Sequence, residues 1–306
     1  MQAAQATSSG YDFRDDLATG KTIAIHRTTG EILNTQTVTV PVGSKVLTPE
    51  DQERRQKFFD LKAEREQRKR ANAPLGHFLF MSGAGFNDIS SASVARLVML
   101  ATYCKYDDAL VIGRNKPITR AEAQQILNLE YTSFNKFMKE VVPRFLVEKD
   151  GALYLANHET FFRGKKDKKN HEQYWKTYLL AVRRLYNSTD VRQHKALGRV
   201  FQLLPFVNIE FNILAHDIEE TSLDAVQPMT LFELCQALGV DWSHANRLLA
   251  LYRGLTFTVE NHQERFVSVV FDGVDRRSAH VFINPHILYS GSDYRRVEIL
   301  GTFCKV

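Results

Sequence analysis

The stretch from Pro117 to Met138, PITRAEAQQILNLEYTSFNKFM, returns at Pro228 to Leu249 as PMTLFELCQALGVDWSHANRLL, without a gap over twenty-two positions. Pro117, Thr119, Glu122, Gln125, Leu127 and Asn135 meet identical residues at Pro228, Thr230, Glu233, Gln236, Leu238 and Asn246, and Lys136 becomes Arg247. Internal repetition constrains architecture before any local propensity does. Each copy reads as helix, tight turn, helix. Thr119 and Thr230 can N-cap the first helix, and Glu122 and Glu233 three positions later complete a capping box. Apolar residues then recur at helical spacing: Ala123, Ile126 and Leu127 in one copy, Leu234, Ala237 and Leu238 in the other. The turns are Asn128-Leu129-Glu130 and Gly239-Val240-Asp241, where Asn or Gly tolerates a positive φ and the middle residue is apolar. The second helix buries Phe134, Phe137, Met138 and Val141, or Ala245, Leu248 and Leu249. An ordinary helical hairpin shares part of this pattern. Two copies with the same cap, turn and polar residues point instead to a DNA-binding helix-turn-helix, whose second helix enters the major groove.

Each copy sits in a longer parallel. An apolar helix, Ser91 to Tyr106, precedes the first and is echoed at Arg199 to Asn208, with Arg96, Leu100 and Tyr103 matching Arg199, Leu203 and Phe206. Strands follow each motif. Arg144 to Val147 and Ala152 to Leu155 flank Lys149-Asp150-Gly151, and Asp-Gly between alternating strands is a strong hairpin signal. In the second copy Thr256 to Glu260 and Phe266 to Phe271 precede a longer tip, Asp272 to Ser278, and the strand His280 to Ile283. Leu155-Ala156-Asn157 with Gly164 matches Phe282-Ile283-Asn284 with Gly291. Three helices followed by a β-hairpin is a winged helix. The expected fold class is therefore mainly α with small β-wings (α+β), as two tandem winged-helix domains related by an internal pseudo-repeat.

The expected organisation is an N-terminal tail, β-hairpin and charged helix over 1–75, winged-helix domain 1 over 76–164, a basic linker and connecting helix over 165–190, winged-helix domain 2 over 191–291, and a C-terminal tail over 292–306. Residues 1 to about 20 read as tail. Lys21 to Arg27 alternates, Thr28-Thr29-Gly30 is a turn, and Glu31 to Val40 returns. Gly20-Lys21-Thr22 ends like a phosphate loop, but Asp15 stands where a further glycine is needed. Pro49 opens a charge-rich helix running to Arg70, read as a solvated connector or a basic arm on DNA phosphates. Gly76 to Phe80 is a short buried strand or loop. Glu172 to Tyr186 reads as an amphipathic helix carrying Tyr174, Trp175, Tyr178, Leu179, Val182 and Leu185.

The polar residues left on the second helices are the candidate DNA contacts: Tyr131, Thr132, Ser133, Asn135, Lys136 and Lys139 in the first copy, and Trp242, Ser243, His244, Asn246, Arg247 and Arg253 in the second. Asn pairs two ways with adenine and Arg two ways with guanine, while hydroxyls and lysines suit phosphates. The wing tips add Lys149, Arg276 and Arg277. The linker adds Lys165, Lys166, Lys168 and Lys169, where each neutralised phosphate steepens the salt dependence of binding. A net charge of +5 allows nucleic acid as a partner but is low for non-specific packaging. Cys104, Cys235 and Cys304 stand too far apart for a Cys-x-x-Cys metal clip and suit a reduced cytoplasm. No apolar run is long enough to span a membrane, and the N-terminus lacks a signal-peptide pattern. No His-x-His or His-Glu-x-x-His pattern is present, His158 and His171 read as isolated surface residues, and Tyr103 and Tyr106 read as core packing. The expectation is a cytoplasmic, non-enzymatic protein without cofactor or metal, its oligomeric state open.

Residues 20 to 291 resemble a family of phage- and plasmid-encoded tandem winged-helix proteins of Gram-positive bacteria. The resemblance is carried by Thr29-Gly30-Glu31-Ile32, Gly76-His77-Phe78, Leu203-Leu204-Pro205-Phe206-Val207, Asn212 to Leu214, and the closing Ile283-Asn284-Pro285 with Gly291. The closing pattern is also similar to that of winged-helix plasmid replication initiators. The first copy departs from it, with His158 where the second has Pro285. The resemblance implies duplex-DNA binding for a mobile element, as a transcriptional regulator or an origin-binding replication protein, with replication or transcription proteins as further partners. A rival reading is a winged-helix module that regulates a host or phage protein. That use favours acidic or apolar residues on the second helices, where this chain has Ser133, Asn135, Lys136, Ser243, Asn246 and Arg247.

Overall fold

The structure, a computed structural model, describes residues 11–16, 21–29, 49–156, 158–164, 173–271, 276–297 and 300–304. The chain divides into two compact units, residues 1–67 and 68–306. In the first, β1 (Tyr11–Asp16) and β2 (Lys21–His26) form an antiparallel hairpin with Tyr11 opposite His26 and Asp16 opposite Lys21. This corrects the expected pairing. The strand starting at Lys21 pairs backward onto a segment read as tail, and the expected return strand, 31–40, lies outside the described residues. Tyr11 and Phe13 alternate with charged residues, a period-two aromatic pattern that suits a strand despite its acidic neighbours. Helix α1 (Pro49–Asn72) carries Glu50 and Asp51 in its first turn and Lys69 and Arg70 in its last, matching the helix dipole. Its side chains from Gln52 to Arg70 are exposed, as expected of a solvated helix.

The second unit is an α+β mixture of short helices and small antiparallel sheets. Its first half runs β3 (Phe78–Met81), α2 (Ser91–Ala101), β4 (Val111–Ile112), β5 (Lys116–Pro117), α3 (Arg120–Leu127), α4 (Tyr131–Val141), β6 (Leu146–Lys149), β7 (Ala152–Leu155) and β8 (Phe161–Phe162). Then β9 (Trp175–Tyr178) leads directly into α5 (Leu179–Ser188). The second half runs α6 (His194–Phe201), α7 (Leu231–Ala237), α8 (Ala245–Arg253), β10 (Thr256–Val259), β11 (His262–Arg265), β12 (Val267–Val270), β13 (His280–Ile283) and α9 (Leu300–Phe303). Among the described residues no helix is long and apolar enough to cross a membrane.

The two halves share a hydrogen-bond pattern. Leu110 N donates to Leu153 O as Leu214 N donates to Val281 O, and Ile118 N to Leu110 O as Met229 N to Leu214 O. Leu155 N donates to Asp108 O as Ile283 N does to Asn212 O, and Asp108 and Asn212 both take a positive φ, 63° and 53°. In each half the segment after the first helix therefore runs between the start of the second helix and the returning strand of a hairpin. The β6–β7 turn is Asp150-Gly151, with φ of 52° and 74°, as its sequence predicts. The closing register differs by one residue from the sequence match. Leu155 corresponds to Ile283, not Phe282, because those two are buried on the inner face while Phe282 is only half-buried. The second half also contains an insertion: β10 and β11 pair around Glu260-Asn261 before the β12–β13 hairpin begins.

Residues 68–306 form one compact unit. Both halves contribute to one hydrophobic core, from Leu97 and Phe137 through Leu197 and Tyr252. Helices α2 and α6 pack together so closely that a Cβ added at Gly198 would lie 1.6 Å from the Ser91 carbonyl oxygen. The expected long helices are shorter: α2 ends at Ala101, leaving Tyr106 exposed, and the echo is α6 with a 3-10 turn, Leu204–Phe206. Gly198 lets the helix backbones meet and Pro205 sits in the turn that follows. Lys165, Lys166, Lys168, Lys169 and His171 lie outside the described residues. The segment after them opens as strand, not helix, because Trp175, Thr177 and Tyr178 are buried while pairing with β3. Thr177 and Tyr178 also bond the 287–288 segment, so this strand lies between parts of both halves. Helix α5 continues the tie. Tyr186 Oη donates to Leu127 O at 3.1 Å and Arg183 to Thr102 O at 2.7 Å, while Arg184 donates to Thr258 O and Ser188 to Thr256 O of the inserted hairpin.

Two predictions follow from this shared core. Gly198→Ala should destabilise the chain by at least about 3 kcal/mol in urea unfolding, because helix backbone cannot yield as a flexible side chain does. His194 is buried beside Tyr186 with ring centroids 4.4 Å apart. Burial first, then the Arg96 charge, lowers its pKa from 6.5 to about 4. The folded chain thus refuses a proton that the unfolded chain accepts between those values, so stability should fall as pH drops from 6.5 to 4. The loss should be on the order of 1–3 kcal/mol, and thermal melts of His194→Phe should lack that component.

Candidate nucleic-acid interface

Both capping boxes form. Thr119 and Thr230 accept from the N3 amides, and Glu122 and Glu233 accept from the cap amides at 2.9 and 2.8 Å. A hydrogen bond from Lys116, and then the Thr119 amide, hold Glu122 down at about 2. Asn128 and Gly239 occupy the left-handed positions, with φ of 48° and 61°, and Leu129 is buried in the corner. The second helix of each pair then turns its apolar side to the core. Phe134, Phe137, Met138 and Val141 are buried on α4, and Ala245, Leu248, Leu249 and Tyr252 on α8.

On α4 the outward side carries Tyr131, Thr132, Ser133, Lys136 and Lys139, all exposed, with Asn135 half-buried beside them. Tyr131 is 71% exposed at the first turn, a large aromatic surface left in solvent. Arg120, at the start of α3, was not among the sequence candidates. It donates to Asn135 Oδ1 and pairs with Glu148 of β6, both at 3.5 Å, so it links the helix face to the hairpin. An open groove is lined by Arg120, Asn135, Met138, Lys139 and Val142. Signals for Arg120 were present in its position at N1 of a capped helix, but its partner lies in a strand far along the chain. The single acid on α4, Glu140, is half-buried and accepts from Ser90 Oγ at 2.7 Å. Burial disfavours its charge, yet hydrogen bonds from Ser90 and Ser93 outweigh that and hold its pKa low.

The second copy differs in its opening turn. Trp242–His244 is a 3-10 turn, and α8 proper begins at Ala245. Asp241 caps it, accepting from Ser243 N at 2.8 Å and Ser243 Oγ at 2.5 Å, and these bonds keep its carboxyl below the usual range. Ser243, His244, Asn246, Arg247 and Arg253 are exposed. Trp242, expected as an exposed contact, is half-buried because its ring meets Phe232 edge-on at 5.7 Å. Leu231 is buried where the first copy has Arg120, so this cation has no counterpart at that position.

The hairpins place the remaining candidates. Lys149 is exposed at the β6–β7 turn with its ammonium 5.9 Å from the Tyr154 ring centre. Arg276 and Arg277 begin a 3-10 turn that lies against α7, and the Arg277 side chain is exposed. His158 is exposed as expected but pairs with Asp108 at 2.7 Å.

Glu130, at the N-cap of α4, makes no side-chain cap bond, whereas Asp241 does. Glu130→Asp shortens the side chain to capping length. It should raise stability by about 0.5–1 kcal/mol, read from the urea midpoint.

No protein-family model, no curated protein and no solved structure matches this chain.

Proposed function

We propose that the protein binds a specific duplex-DNA site through two tandem winged-helix units, with α4 and α8 each entering a major groove. The observation that carries this reading is the outward side of those two helices. Each buries an apolar face in the common core and leaves outward amide, hydroxyl and cationic side chains: Asn135, Lys136 and Lys139 on one, Asn246, Arg247 and Arg253 on the other. Asn246 and Arg247 have the donor and acceptor geometry that reads adenine and guanine edges, and the lysines suit phosphates. The order of elements supports the winged-helix assignment. In each half a hairpin after the second helix returns to the short strand before the first, with Leu153 beside Leu110 and Val281 beside Leu214. The job is that of a transcriptional regulator or an origin-binding replication protein of a phage or plasmid. Both need the same duplex reading.

Because α4 and α8 rest on one core, the spacing of their half-sites is set by the fold. The test is sequencing of duplex DNA captured by the purified chain from random and native pools. One enriched bipartite site is expected. Asn246→Ala with Arg247→Ala should weaken it by about 10–100-fold and relax one half-site. Lys136→Ala with Lys139→Ala should flatten the salt dependence by about two counterions. Inserting about 5 base pairs between the half-sites, half a helical turn, should abolish binding. Absence of any enriched site, with affinity untouched by both double variants, would overturn the reading and favour a protein-binding role.

A further inference from the structure

The inserted β10–β11 hairpin creates a cluster that the DNA reading does not use. His262 and Glu264 lie two residues apart on β11, on the same side of the strand. Glu264 pairs with Cys304 through an isolated antiparallel bridge, which brings the C-terminal segment alongside. That segment is anchored by Phe303, which is buried, and by a 2.7 Å bond between Ser268 and Thr302. As a result a ligand atom from each of His262, Glu264 and Cys304 lies within 4.8 Å of the other two. Cys304 is exposed, unlike Cys104 and Cys235.

From this geometry we propose that His262 Nε2, a Glu264 carboxylate oxygen and Cys304 Sγ form a binding site for a zinc-like divalent cation. Three features favour a metal over a chance surface cluster. Mixed imidazole, carboxylate and thiolate donors select zinc over magnesium or calcium, which prefer oxygen alone. The carboxylate is already oriented: its Oε2 accepts from Asn284 at 2.8 Å and faces His286 Nδ1 at 2.7 Å, leaving Oε1 toward His262. Such outer contacts are what fix a ligating carboxylate. Glu264 is also 5% exposed, so its charge sits where a cation is a better partner than solvent. Bonds of about 2.0–2.3 Å at tetrahedral angles put ligand atoms roughly 3.3–3.7 Å apart. The exposed His262 and Cys304 side chains can reach that spacing by small rotations, with the thiol giving up its proton as the metal binds. Three protein ligands leave a fourth position for water. A bound ion would fasten the C-terminal segment to the inserted hairpin.

The full chain, tag-free and stripped of metal, would be titrated with cobalt(II) and then with zinc. One cobalt per chain is expected, with a thiolate-to-cobalt charge-transfer band that zinc abolishes. Cys304→Ser should remove the band, and because Cys304 is exposed its metal-free melting temperature should match that of the parent. His262→Ala should weaken zinc at least tenfold. His286→Ala, whose ring meets the far carboxylate oxygen and Tyr294 but no proposed ligand atom, should weaken it about 10–100-fold while the band remains. His216→Ala, away from the cluster, should bind like the parent. Absence of the band in the parent, or a band that survives Cys304→Ser, would overturn the proposal.

Discussion

The contact between Gly198 and the Ser91 carbonyl is the constraint on which the second unit depends. At that distance the backbones of α2 and α6 leave no room for a side chain, so only glycine permits the approach. Once the two helices meet there, the apolar faces of both halves close onto the same interior: α2 backs α3 and α4, α6 backs α8, and the two core helices pack on each other. The fixed support lets the outer faces of α4 and α8 remain polar, because neither has to bury a second side to stay folded.

The connection between the halves carries as much structure as the halves. β9 and α5 make hydrogen bonds to α3, to the end of α2, to the inserted hairpin and to the segment after β13. None of this resembles a linker. In the sequence its cationic approach stands out, while residues that do the packing, Trp175, Tyr178 and Leu185, read only as one side of an amphipathic helix.

The local devices were legible. Thr119 and Thr230 with their glutamates, Asn128 and Gly239 in the turns, and Asp150-Gly151 at the hairpin each act within a few residues, so spacing alone reveals them. The buried side of each second helix was legible for the same reason. What was hidden depends on distant partners. Arg120 takes meaning from Glu148, Trp242 is drawn inward by Phe232, and Glu264 meets Cys304 across forty residues of chain. Strand against helix at Trp175 was also undecidable locally, since a short run buried on both faces has no period to read. The first strand is hard to read for a different reason: acidic neighbours mask the alternation of Tyr11 and Phe13.

The shared core has a consequence for how such a chain can change over time. A sequence repeat invites the idea of two exchangeable modules, each free to be duplicated, lost or swapped by recombination. Here a crossover between the halves would bring an unmatched partner to the Gly198 contact and cost β9 and α5 the hydrogen-bond acceptors that the replaced half supplies. The two copies are free to diverge at their outer faces, as Ser133 against His244 and Lys139 against Ala250, all exposed, already show. Their inner faces must vary together, and the heritable unit is the pair.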